Sequence, residues 1–473
     1  MLYDVQLAAL RKSNGSTRFA YFMEQGLGKT RTILEEFSSM DIDVLLVVCP
    51  NSFKGGWRAE AEKVGFKYPI FIYTPKSMKD FHQFVKSNTK YMVIVNYEAM
   101  RSKDVSQYLL KLGGDRSMIC ADESIYLKNP QSATTKVGIM LAKAFRYRRI
   151  LSGKPVTQGP HDLWGQLRFI GLADGINFYS FRNRFCRMGG YMGKKVVGAE
   201  NEGLLREMID PHSFKARKVD WTDLPEKIYT AREIIMPPEL LKMYNDMQND
   251  FLLEVGNTVV AADQVITKYI KMQQIQSGFV MDEDGKIHEL VPVSSNPKLQ
   301  MMLEVMDQEV EGKAIIGCFH KYSVDIIKRA FARYKPAWLI GGMDPEEVEE
   351  QKRRFNEDPE CRVFIANIHA TKYGHTLLGD KENRCATTMF FENVYSLDAR
   401  SQFEDRNHRH GQDRGVVYID FMGTDLDRQI IQALQRKEDI AASVLGYARE
   451  TGILPRSENQ DGSAAQRAGE NTR

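Results

Sequence analysis

Disulfide and metal-binding patterns are missing from this sequence. Its six cysteines (Cys49, Cys120, Cys186, Cys318, Cys361 and Cys385) include no C-x-x-C pair, and its nine histidines form no H-x-x-x-H or mixed Cys/His group. Buried thiols in a reducing compartment are expected, and a structural zinc module is not. No apolar run approaches the roughly 18 residues of a membrane span. Asp4 and Gln6 interrupt any signal-peptide core. Neither charge sign dominates: 65 basic against 62 acidic residues leave +3, so the whole-chain balance neither requires nor excludes a polyanionic partner. There is no repeat of solenoid length. A soluble intracellular protein that does not engage a membrane is the expectation.

What is there is ordinary globular material in quantity. The 473 residues, 27% of them charged and 43% apolar, are about three times a typical domain of roughly 150 residues, which predicts two or three domains. Over the first 170 residues short β-rich runs alternate with helical stretches: "RFAYFM", "VLLVVCP", "IFIY", "YMVIVNY", "SMICADE" and "RYRRILSG". Near-continuous apolar strands separated by helices predict a parallel sheet covered on both faces. A second such series starts near residue 313 with "KAIIGCFH", "WLIGG", "VFIANI", "TTMFFENV" and "VVYIDFM". Between them, residues 171–312 read as mostly helical, with Leu240, Leu241, Tyr244, Met247, Phe251 and Leu252 at helical spacing as a packing face. The final stretch, 456–473, has almost nothing to bury and reads as a disordered tail.

The first series holds a phosphate-binding pattern. In "RFAYFMEQGLGKTRT" an apolar strand runs into a glycine-bracketed turn ending in Gly28-Lys29-Thr30 at the start of a helix. Backbone N–H groups and a helix N-terminus there suit an anion. Lys29 suits the β- and γ-phosphates and the Thr30 hydroxyl suits Mg²⁺. Met23 stands where the full pattern has its first glycine, so Gly26 and Gly28 carry the turn. In "MICADESIYLKNP" the pair Asp122 and Glu123 stands where a strand should emerge, with Asp122 suited to Mg²⁺ and Glu123 to the attacking water. In the second series "QFEDRNHRHGQDR" offers Arg406 and Arg409, three apart and on one face if helical, as cations for the transition state of phosphoryl transfer. Taken singly, these also read as a chance turn, an acidic helix cap and a surface charge run.

Taken in order, they resemble the Swi/Snf family of superfamily-two DNA-dependent ATPases from Leu2 to about Leu434. "LYDVQ" is similar to its N-terminal glutamine motif, which puts Gln6 beside adenine. "EQGLGKT" is similar to its acidic-x-GLGKT loop, adding Leu27 to Gly26, Gly28, Lys29 and Thr30 as nucleotide contacts. "VVCPNSFKGGWRAEAEK", "VIVNYEAM", "DESIYLKNP", "ILSGKPVTQGPHDLWGQLRFI" and "KARKVDWTDLPEK" resemble the family's next elements. "AIIGCFH", "ATKYGHTLLG" and "QFEDRNHRHGQ" resemble the motifs of its second lobe, adding Gly374 and Gln402. Two positions depart from the family: Ile125 replaces a histidine and Lys154 a threonine, at places that link nucleotide state to lobe movement.

The resemblance implies two RecA-like lobes, at 1–170 and 313–455, with the helical segment 171–312 between them. It also implies ATP and Mg²⁺ as cofactors, nucleotide held between the lobes, and double-stranded DNA as the track. A compact monomer of phage or bacterial type, cytoplasmic in its host, is expected. Residues 179–195 carry Arg182, Arg184, Arg187, Lys194 and Lys195 with no acid, which suits phosphate-backbone contact or, equally, a solvated basic face. A strand-separating helicase and a nucleic-acid-binding scaffold with a decayed ATPase stay open beside a duplex translocase.

Overall fold

The structure is a computed structural model describing residues 2–190, 193, 195–257, 262–370 and 376–447, with backbone alone for 250–257, 262–266 and Pro345. Contacts divide the chain into two units. Of the described residues, unit 1 takes those up to Leu224 and then 437–447, and unit 2 takes those from Pro225 to Arg436.

Unit 1 is built on strands β1 (Arg18–Met23), β2 (Val44–Cys49), β3 (Ile70–Ile72), β4 (Tyr91–Asn96), β5 (Gly114–Ala121) and β6 (Phe145–Leu151). A small antiparallel hairpin, β7 (Cys186–Gly189) with β8 (Lys195–Ala199), and a last strand, β9 (Ser213–Ala216), complete its strands. The main sheet has the order β3-β4-β2-β5-β6-β1-β9, with every neighbouring pair parallel. Its strands are apolar at almost every position because both faces are covered. Leu46, Val48, Val93, Val95, Ile119 and Ala121 point into one core cluster. The alternate residues Leu45, Val47, Met92, Ile94, Met118 and Cys120 point into the other. Each fully buried large side chain contributes about 1.5–3 kcal/mol.

Unit 2 repeats the plan. Strand β10 (Lys227–Glu233) is followed by a small hairpin, β11 (Phe279–Met281) with β12 (Ile287–Glu289). Strands β13 (Lys313–Cys318), β14 (Ala337–Leu339), β15 (Val363–Asn367), β16 (Cys385–Phe390) and β17 (Val416–Met422) then join β10 in a parallel sheet of order β10-β17-β16-β13-β15-β14. Ile316, Ile365 and Phe421 face one core, and Ile315, Phe364 and Tyr418 face the other.

The chain therefore forms two α/β lobes on parallel sheets. The middle segment, 171–312, is divided between the units, and strands β9 and β10 lie in it. Its long helix, Pro238–Asn257, buries Leu240 and Tyr244, but Leu241 from the expected packing face is 40% exposed. Met247 packs at the margin of a core cluster, and the side chains of Phe251 and Leu252 lie outside those described. All six cysteines are buried and unpaired. The tail 456–473 lies outside the described residues, as do Lys194 and Gly374. No described helix is long and apolar enough to cross a membrane.

Candidate nucleotide site

A parallel sheet delivers the carboxyl ends of its strands to one edge, and in unit 1 the candidate residues gather there. β6 lies between β1 and β5. The phosphate loop after β1, the acidic pair after β5 and the Ser152-Gly153-Lys154 loop after β6 are therefore neighbours. Gly153 passes close to the phosphate loop: a Cβ there would stand 3.4 Å from the Gln25 amide nitrogen.

The phosphate loop turns through two left-handed glycines, Gly26 (φ +90°) and Gly28 (φ +81°), and the helix Lys29–Ser39 starts at once. Lys29 Nζ donates to the carbonyls of Met23 (2.9 Å) and Glu24 (3.4 Å), so its ammonium arches back over the turn. Leu27 is buried and anchors the loop in the core. Thr30 lies in the first turn of the helix, half-buried.

Gln6, on the helix Asp4–Ser13, is buried against this loop. Its Oε1 accepts from the Tyr3 amide at 2.9 Å, and its Nε2 donates to the Gly28 carbonyl at 3.4 Å. A Cβ on Gly28 would come within 1.9 Å of Gln6 Nε2, so any side chain there has to displace the Gln6 amide, while the backbone angle itself favours glycine.

Asp122 and Glu123 are both buried. Asp122 Oδ2 accepts from the Trp57 indole N–H at 2.8 Å, and its Oδ1 accepts from the Glu123 amide at 2.9 Å. The Tyr97 hydroxyl donates to the Asp122 carbonyl at 2.7 Å. Burial holds the Asp122 carboxyl above the ordinary carboxylate range, against the pull of the Trp57 N–H, the Lys29 charge and the Glu123 amide. Lys29 and Asp122 thus share one electrostatic neighbourhood. Glu123 is left-handed (φ +48°), a conformation that costs a non-glycine residue about 1 kcal/mol or more.

Three features of this edge were not singled out from sequence. Trp57 is one. A second is the Glu24 carboxylate, which accepts from the Lys218 amide at 2.7 Å while the Glu24 amide donates to the Ala216 carbonyl at 3.0 Å. That pair docks the Arg217-Lys218 segment beside the phosphate loop, with Lys218 only 5% exposed. The third is Gln166. It accepts from the Ser124 hydroxyl (2.7 Å) and donates to the carbonyls of Pro155 and Asp162 (2.8 Å each), linking the acidic pair to the loop after β6. Ile125 is buried beside this link, and Lys154 forms an ion pair with Glu438 at 3.7 Å.

In unit 2 the helix Leu397–Glu404 carries Gln402, whose Nε2 donates to Asp398 Oδ1 at 2.9 Å. The helix ends before Arg406 and Arg409, so the two arginines sit in the turn that follows and do not share a helical face. Arg406 is 1% exposed and its carbonyl accepts from the Leu377 amide. Arg409 is half-buried, and its Nη1 donates to the Thr376 hydroxyl at 2.9 Å. Burial lowers the Arg409 guanidinium from its ordinary value, offset in part by Asp405.

The basic stretch near residue 180 lies on the helix Phe178–Phe185 and the β7–β8 hairpin. Arg182 stacks over the Tyr179 ring at 5.4 Å, while Arg184, Arg187 and Lys195 are exposed.

A family model described as the SNF2-related domain matches residues 20–282, more than half of the chain. The SWI/SNF-related matrix-associated actin-dependent regulator of chromatin subfamily A-like protein 1 homolog of Caenorhabditis elegans is 26% identical over 439 residues, covering 89% of this chain and 58% of its own length. The DNA annealing helicase and endonuclease ZRANB3 of Mus musculus is 24% identical over 445 residues, covering 90% of this chain and 39% of its own length. The chain thus spans less than two thirds of either relative. A solved structure titled as the Sulfolobus solfataricus SWI2/SNF2 ATPase core in complex with dsDNA is 20% identical, with a TM-score of 0.43 and 94% of each chain covered.

Proposed function

Because the chain belongs to the SNF2-related domain family, we propose that it is a DNA-dependent ATPase that moves along or remodels double-stranded DNA in replication, repair or recombination. The observation that carries this reading is the convergence on one sheet edge of the glycine-bracketed loop, Lys29 and the buried Asp122–Glu123 pair. Gln6 reads the base. The backbone N–H groups of the loop and the Lys29 ammonium hold the phosphates. Glu123 orients and deprotonates the attacking water, and Arg406 and Arg409 act as the arginine fingers. In the second lobe, Gly374 and Gln402 belong to the same nucleotide-binding set.

The donor set fits Mg²⁺, a hard cation that takes oxygen ligands and keeps several waters. The Thr30 hydroxyl and the Asp122 carboxylate are such oxygens, and each Asp122 oxygen keeps a lone pair beyond its single bond to the protein. When bound, the ion supplies charge neutralisation on the phosphates.

The deciding measurement is ATP turnover without DNA and with single-stranded, duplex and forked DNA. Duplex should stimulate most. Lys29→Ala and Glu123→Gln should each abolish turnover with the melting temperature kept, and Arg409→Ala should lower kcat by about a thousandfold with nucleotide still bound. Turnover indifferent to DNA would remove the track, and absent turnover would leave a DNA-binding scaffold. Forked substrate separated into strands would make the protein a helicase in the strict sense.

Duplex contact is assigned to Arg182, Arg184, Arg187, Lys194 and Lys195. Neutralising the exposed Arg184, Arg187 and Lys195 should flatten the slope of log affinity against log salt by about 0.9 for each DNA phosphate that a side chain no longer neutralises. An unchanged slope would move the DNA elsewhere.

A further inference from the structure

Trp57 lies on the helix Lys54–Lys63, which follows β2, and is 1% exposed. Its indole N–H donates to Asp122 Oδ2 at 2.8 Å, a bond between side chains 65 positions apart. An indole offers one donor and no acceptor, so this contact serves a carboxylate acceptor. With the adjoining Glu123 amide on Oδ1, the Tyr97 hydroxyl on the backbone carbonyl and the Asp122 amide on the Val48 carbonyl at 2.8 Å, Asp122 is held at four atoms.

The grip fixes carboxylate rotation. A buried Asp side chain with one free torsion left could present either oxygen, or neither, to an incoming cation. With both oxygens hydrogen-bonded, the outward lone pairs have a set direction before any cation arrives. Packing alone does not account for the arrangement: a phenylalanine would fill most of the same space without supplying a donor.

We propose that Trp57 is a positioning residue that sets the affinity of Asp122 for the divalent cation accompanying the nucleotide. The proposal rests on the nucleotide-binding reading given above. Partners that orient a metal ligand typically change metal affinity or activity by 10–100-fold when removed. They do so through the ligand and leave the nucleotide contacts themselves intact.

The test uses the full chain, with Mn²⁺ as the probe. Free Mn²⁺ is counted by electron paramagnetic resonance while it is titrated into protein saturated with ADP. Trp57→Phe should raise the Mn²⁺ dissociation constant about tenfold. ADP affinity in EDTA should stay within about twofold of the parent. In an Asp122→Ala background, Trp57→Phe should add nothing, because the acceptor it served is gone. Equal Mn²⁺ affinity in parent and Trp57→Phe overturns the proposal, and so does a weakening that persists undiminished in the Asp122→Ala background.

A second measurement covers failure of Trp57→Phe to fold. With Trp164, Trp221 and Trp338 replaced by phenylalanine, Trp57 is the sole indole, and adding Mg²⁺ to the ADP complex should change its emission. An emission indifferent to Mg²⁺ counts against the role. A parent chain that takes up no Mn²⁺ with ADP overturns the nucleotide reading as well, which distinguishes that failure from the loss of Trp57's role alone.

Discussion

Gly28 meets two separate demands. Its left-handed backbone (φ +81°) costs any other residue about 1–3 kcal/mol, and Gln6 Nε2 occupies the space a side chain would need. Gly28→Ala should therefore destabilise the protein by at least that amount in a denaturant titration and weaken nucleotide binding by displacing Gln6. Gln6→Ala removes the obstacle but not the backbone cost. The double variant should accordingly be less destabilised than the two single changes summed, since neighbours sharing a contact are not additive. Equal additivity would show that the clash relaxes without cost. That Lys29 opens a helix after β1 and that Asp122 and Glu123 follow β5 was legible at this scale, because an apolar strand run fixes where the strand ends. Trp57 was not, because no spacing rule brings a helix after β2 onto a carboxylate after β5. Only the packed register of the two does so.

At the level of elements, the segment bearing Arg406 and Arg409 is held from behind. Arg400, on the preceding helix, is fully buried, and its guanidinium donates to Glu404 Oε1 (2.8 Å), to Asp420 Oδ1 (2.7 Å) and to the Asn393 side chain. Glu404 also accepts from the Tyr229 hydroxyl at 2.9 Å. Arg400→Leu takes the guanidinium away from the buried Asp420 and Glu404 carboxylates, and breaking such a network costs about 3–5 kcal/mol. Chemical denaturation should register that loss in unit 2. Arg400→Leu stability within about 1 kcal/mol of the parent, well under the cost of such a network, would mean that the carboxylates find other partners. Arg406 and Arg409, which would share a face only in a helix, lie outside one for a related reason: the Arg406 carbonyl accepts from the Leu377 amide, and the Glu404 carbonyl accepts from the Tyr418 hydroxyl at 3.0 Å beside a longer 3.4 Å bond from the His408 amide, so tertiary bonds compete with helical ones. The apolar strands of both sheets were readable because burial on two faces leaves little room for polar residues. Strand β9 is four residues long and β10 is half polar, so neither carries that signature, although each occupies a sheet edge.

For the whole molecule, the last described helix, Asp425–Leu445, matters most at its end. Ile440, Val444 and Leu445 belong to a core cluster of unit 1 together with Leu205 and Ile209. Arg206 donates to the Ser443 carbonyl and Lys215 to the Leu445 carbonyl, at 2.9 and 2.8 Å. Ending the chain after Arg436 removes three buried aliphatic side chains, about 4.5–9 kcal/mol at 1.5–3 kcal/mol each before allowance for a compact unfolded state. Calorimetry should show the unit 1 transition at a lower temperature in that truncation, while the unit 2 transition moves little. A unit 1 transition that stays put would make this packing superficial. The sequence rhythm at residue 170 did not disclose this closure, since a short segment added from the far end of a chain leaves no periodic trace.

The same arrangement bears on how the protein is made. A ribosome that has released the first 224 residues has delivered every strand of the larger sheet, yet the seat for Ile440, Val444 and Leu445 waits for some two hundred further residues to be translated. Nascent unit 1 must spend that interval with an apolar hollow turned to water, the kind of surface that holding chaperones capture.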